Sequence, residues 1–204
     1  MLRKLSVLGI IAPILYLIHV ILGGILWKGY NHITQPISDL TAAAAPNRET
    51  LMIFTNLSGI LGLIFIVSTF SYLRKLHIKT INIFMIFALA VSIITLSYGF
   101  FPEDLPGTPM TFRGIMHLVV TGLIVPAAIL SPLFAGLGFR KLHNFKKFSI
   151  YSIATSLIIF VSGAVSVIFI ANNIPYLGVI ERINIGSLEL WNFIFALIML
   201  TTDV

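Results

Sequence analysis

The chain contains no cysteine, and charged residues fill only 10% of its 204 positions. The first absence excludes disulfide bridges, thiolate zinc sites and cysteine nucleophiles, and leaves the redox compartment unread. The second removes the solvated surface of a soluble domain. With 58% hydrophobic residues and a mean hydropathy of +1.03, the sequence falls in the membrane class. Phosphate loops, nucleophile elbows, zincin helices and dinucleotide-binding glycine patterns are also missing. A formal charge of +6 would suit nucleic acid on a soluble fold, but no basic face or aromatic-basic interleaving is present. The basic residues fall in short gaps between apolar runs, where they act as topology signals and contacts for anionic lipid headgroups.

What is there in abundance is hydrocarbon. Runs of about 20 apolar residues, enough to cross a bilayer, lie near 5–27, 51–73, 81–100, 116–139, 148–171 and 182–200. The expectation is an all-α bundle of six membrane helices forming one domain over 1–204. The first run follows Arg3 and Lys4 as a signal peptide would, but it is too long for one and no small-residue cleavage site closes it, so it reads as a retained helix. Arg3, Lys4, Arg74, Lys75, Lys79, Arg140, Lys141, Lys146 and Lys147 fall on one side; Lys28, Arg48, Arg113 and Arg182 fall on the other. The positive-inside rule then puts both termini in the cytoplasm. Six of the seven acidic residues lean outward, with Asp203 alone inside. The expected location is the plasma membrane.

Ser58-x-x-x-Gly62, Ser162-x-x-x-Ser166 and Gly23-Gly24 can let helices approach closely. Pro126 and Pro132 predict a kink or loosened turn in the fourth helix, whose freed carbonyls need partners from neighbours. Between the first two spans, QPISDLTAAAAPNRE reads as a short interfacial helix: Ser38 or Asp39 caps it, LTAAAA extends it, Pro46 ends it, and Asn47 caps the next span.

The polar residues within or beside the spans gather toward the outer side. His19 lies eight positions before Trp27, roughly 12 Å from the outer end of its helix. Asn56 lies a turn and a half into the second helix. Arg113 and His117 share a helical face, as do Arg182 and Glu189, with Gly186 between them. Ionisable groups in a span cost about 2.5–3.5 kcal/mol each, so they face a polar interior and mark function, or pair structurally. For Glu189 the structural alternative is an ion pair with Arg182 or Arg113. For His19 it is a neutral ring bonded to a neighbouring helix, and for Asp39 a simple cap. The inner half offers only hydroxyls and Asn82, which suits a one-sided cup better than a transport path.

Ser38-Asp39-Leu40, Phe101-Pro102-Glu103-Asp104, His117 and Gly178-Val179-Ile180-Glu181-Arg182-Ile183 together resemble the six-helix membrane family called domain of unknown function 998. The resemblance spans nearly the whole chain. It implies the six-span fold and a role for Asp39, Asp104, His117 and Arg182, but no reaction.

The primary expectation is an outward pocket of Asp39, Asp104, Arg113, His117, Arg182 and Glu189 that binds a zwitterionic or anionic small molecule such as a lipid headgroup. A second is a lipid-directed hydrolase or transferase using His117 with Asp39 or Asp104. Its metal-dependent form draws ligands from His19, Asp39, Asp104, His117 and Glu189, no pair of which has a specific ligand spacing. A third is a structural membrane subunit. The sequence names no cofactor and no oligomeric state, and membrane lipids are the expected partners.

Overall fold

The computed structural model describes residues 2–202, apart from the side chain of Leu2, so Asp203 lies outside the described residues. Six long helices form: α1 (Leu2–Leu26), α2 (Arg48–Leu73), α3 (Lys79–Ser97), α4 (Phe112–Phe139), α5 (Lys146–Ala171) and α6 (Leu177–Thr201). No strand occurs among the described residues. Each helix carries an apolar stretch long enough to cross a membrane. Their outer faces are apolar too, with Leu17, Ile150 and Val167 each more than half exposed. A helix apolar all round is stable only in lipid or in a large core.

The helices pack in sequence order, α1 on α2 through to α5 on α6, and α6 returns to α1, closing a ring. At the end carrying the termini, the ring is filled by aromatic rings. Trp191 stacks on Phe148 and Phe195 at 5.8 and 5.4 Å, while Phe84 meets Trp191 edge-on at 5.8 Å. Phe65 and Phe139 join through Phe195. The Trp191 indole N–H would be unsatisfied in this plug, but it donates to Ser152 Oγ at 2.8 Å.

Short polar side chains bind the ring together where lipid offers no partner. Ser58 of α2 donates to the Ala12 carbonyl of α1 at 2.7 Å, and Gly62 leaves room for Ala12 one turn on. Ser162 accepts from Asn184 across α5 and α6, whereas Ser166 bonds within its own helix. α4 runs unbroken through Pro126 and Pro132. In the turn before Pro132 the Ile129 carbonyl accepts from Ser156 Oγ of α5 at 2.8 Å, which ties α4 to α5 beside the proline.

Most helix ends shift by one to five residues from the sequence expectation. α6 begins at Leu177, five residues early, which takes Glu181 and Arg182 inside the helix. α3 ends at Ser97 rather than Phe100. The expected interfacial helix shrinks to a four-residue 3-10 turn, Ser38–Thr41, with Ile37 rather than Ser38 or Asp39 at its cap. Ala42 is extended, so the alanine run continues as turns despite its helix propensity. Tertiary burial outweighs that propensity: Leu40 and Ala42 are fully buried against the bundle. Asn47 occupies the cap position of α2 without a side-chain cap bond.

Because the aromatic plug joins five helices at Phe195, Phe195→Ala is expected to cost about 3–5 kcal/mol. Thermal unfolding in detergent measures this, and Ile150→Ala on the lipid face should change it little.

Candidate functional site

At the end opposite the plug, the loop between α1 and α2 folds over the ring as a lid. Arg182 is the reason it lies there. Its Nη1 donates to the carbonyls of His32, Gln35 and Gly178 at 2.7, 2.9 and 2.9 Å. Its Nη2 donates to Tyr30 Oη and His32 Nδ1 at 2.7 and 2.9 Å. Tyr30 in turn donates to the Pro36 carbonyl at 2.6 Å. Burial pushes the Tyr30 hydroxyl up to about 12, so it keeps the proton it donates. The neighbouring residue works in the opposite sense, since the Glu181 carboxylate accepts the Ile37 N–H. The adjacent acid and base at the start of α6 thus hold one loop through its backbone acceptors and a backbone donor. Gly178 makes the approach possible, because a Cβ there would collide with the carbonyl oxygens of Gln35 and His32.

The lid brings Asp39 inside, only 2% exposed. Gln35 donates to its Oδ2 at 3.4 Å, and its Oδ1 has no partner. Burial first, and the Glu103 carboxylate second, push Asp39 up to about 6. Glu181 lies within electrostatic range of both, and Glu103 Oε2 is also buried without a partner. Three carboxylates, from the lid, the α3–α4 loop and the start of α6, therefore converge under the lid. The sequence expectation names Asp39 alone among them; Glu103 and Glu181 lie in the Phe101–Asp104 and Gly178–Ile183 segments, next to Asp104 and Arg182.

The other nominated residues separate. Asp104 accepts the N–H and hydroxyl of Thr111 at 2.6 and 3.0 Å, and Thr111 Oγ1 accepts the Gly114 N–H, so this chain caps α4. Arg113 is exposed. His117, on the same stripe, is half-buried with Nδ1 3.0 Å from the Phe101 carbonyl and its ring 4.9 Å from Tyr98. His19 is buried with Nδ1 near Tyr16 O of its own helix, not a neighbouring one, and Nε2 without a partner. Asn56 is exposed beside Gly99. Among the described residues, no three His, Asp or Glu side chains gather as a metal-ion site.

Arg182 and Glu189 do share a space. A groove of about 440 Å³ runs between α1 and α6, walled by Ile14, Leu17, Val20, Ile185, Leu190 and Phe193. Arg182 and Ile37 close it at the lid end, and Glu189 and Pro13 lie toward its other end. Halfway along α6, Glu189 has no ion pair with Arg182 or Arg113 among the described residues; Asn192 is its polar neighbour. The terminal nitrogens of Arg182 are bound to the lid, while its Nε is buried without a partner.

Ring, plug and lid define a polytopic membrane protein. The chain belongs to the family described as protein of unknown function (DUF998), whose model matches residues 10–198. No curated protein and no solved structure matches it.

Two outcomes follow from the lid. Arg182→Lys removes the planar fork and should raise amide exchange across 30–37 by at least about tenfold, as should Gly178→Ala; unchanged protection contradicts the clamp. The second concerns Asp39, which ionises near 3.8 when unfolded but near 6 when folded, so its contribution to stability falls as pH rises from about 4 to 6. Asp39→Asn should unfold at a higher temperature than the parent above pH 6, with the advantage vanishing toward pH 4. His32, lowered by burial and by Arg182, acts in the other direction, but it cancels in that difference.

Proposed function

We propose that the protein binds a membrane amphiphile in the α1/α6 groove, with the apolar portion between the helices and the polar portion at Glu189. The observation that carries this reading is the placement of Glu189. It is an ionisable side chain in the middle of a membrane helix, without a cationic partner among the described residues, beside a groove with apolar walls. A carboxylate at that depth is costly unless a proton or a ligand compensates it. The groove opens between two membrane helices, so the molecules that reach it by lateral diffusion are lipids and lipid-like compounds.

The reading keeps the lipid-headgroup expectation but moves its polar contact. A zwitterionic or cationic head suits Glu189, while the guanidinium tip of Arg182, at the lid end of the same groove, is bound to the lid. The nine basic residues at the opposite end favour a lid facing away from the cytoplasm, in the plasma membrane. The lid then closes the groove from the aqueous side, and entry is from the outer leaflet. No contact in the site favours the hydrolytic reading, since the Nδ1 of His117 meets a carbonyl rather than a carboxylate.

Gly186 lines the groove, and a Cβ there meets nothing within 4 Å. Gly186→Leu should therefore fill the groove without disturbing the helices. The expected result is at least a tenfold loss of co-purifying lipid, about 1.4 kcal/mol, measured by mass spectrometry of gently extracted protein, with unfolding temperature preserved. Unchanged lipid retention overturns the proposal.

A further inference from the structure

Glu189 and Pro13 also border a second, smaller space inside the ring, about 80 Å³, which is room for several water-sized occupants. Its polar lining comes from Glu189, Asn192, Ser58, Ser92, Thr95 and Ser131, and no lysine, arginine or histidine lines it. Two of its hydroxyls turn lone pairs to the space. Ser58 gives its hydroxyl proton to the Ala12 carbonyl and Ser92 to the Ala88 carbonyl, so the lone pairs of both oxygens are what remain. Pro13 has no N–H, so the carbonyl of Gly9, which lines the same chamber, lacks its usual donor four residues on. Phe65 stands between the chamber and the aromatic plug. A dead-end space in a membrane bundle, with one carboxylate and several acceptor oxygens, matches what a small hard cation requires: oxygen ligands and one compensating negative charge.

We propose that this chamber is a site for one small monovalent cation held against the Glu189 carboxylate, either a free ion such as Na⁺ or the ammonium end of an amphiphile whose chain lies in the groove. Discontinuous hydrogen bonding next to a proline and an acceptor-rich wall serve a cation in the same way in both cases. The inference goes beyond the groove reading, because an inorganic ion can occupy the chamber while the groove is empty.

The test is thermal unfolding of the full chain in an uncharged maltoside detergent at pH 7.5. One titration replaces choline chloride by NaCl at constant ionic strength, and a second compares decylamine with decanol at equal mole fraction. The expected result is a saturable rise in unfolding temperature with Na⁺ or with the amine, lost in Glu189→Gln. If that variant does not fold, Asn192→Leu, which keeps the carboxylate but removes a chamber oxygen, is expected to weaken the rise at least about threefold in apparent affinity. A Na⁺ response that survives Gly186→Leu assigns a free ion, whereas an amine response abolished by Gly186→Leu assigns the ammonium end of a groove ligand. No response to either, or an equal response in Glu189→Gln and Asn192→Leu, overturns the cation site. The same null result alongside loss of lipid in Gly186→Leu leaves the groove reading standing.

Discussion

A carboxylate halfway along a membrane helix must be compensated, and the rest of the bundle is arranged around how that is done. Glu189 has no lysine or arginine partner among the described residues, although Arg182 lies two turns away on the same face. The reason is that the terminal nitrogens of Arg182 are committed elsewhere. Its two terminal nitrogens meet three carbonyls, a tyrosine hydroxyl and an imidazole, bonds a charged donor makes more strongly than a neutral one. The bundle thus uses its one deep cation to close the lid, and Glu189 remains facing two cavities.

That division explains the asymmetry between the halves. The half with the termini is dry, filled by stacked aromatic rings whose single polar N–H is satisfied. The lid half holds Asp39, Glu103 and Glu181, and Glu189 borders both cavities. The lid has to be tied down because an irregular backbone segment over a membrane bundle carries donors and acceptors that need partners. Arg182 and Glu181 supply partners of both kinds, and the Ala43 N–H finds the Glu103 carbonyl at 2.8 Å. The lid in turn buries Asp39 among like charges, which is why its carboxyl ionises only near pH 6.

The architecture was legible in the sequence because the bilayer imposes it: six apolar runs become six helices, with ends displaced by a few residues. The site was legible only in part. Depth along a helix can be counted, so Glu189 stands out as an ionisable group midway along a span. Direction and partners cannot be counted. Arg113 and His117 share a stripe, yet one is exposed and the other half-buried. Asp104 resembles a ligand in a motif, but it caps α4 through Thr111. The alanine run has the propensity of a helix, but Leu40 and Ala42 are worth more buried against the bundle than they are in a helix at the interface. Contacts between a loop and a helix about 150 residues away, such as that of Arg182 with His32, leave no trace in local pattern.

The most direct measurement is carboxyl-selective labelling with the hydrophobic carbodiimide dicyclohexylcarbodiimide, applied to the protein in lipid nanodiscs and located by peptide mass spectrometry. The reagent partitions into the bilayer and converts a protonated carboxyl in apolar surroundings to a stable acylurea. A Glu189 that faces a lipid-accessible cavity without a side-chain cation predicts modification there in preference to the solvent-exposed Glu49. Labelling of Glu49 with Glu189 left untouched would contradict the account.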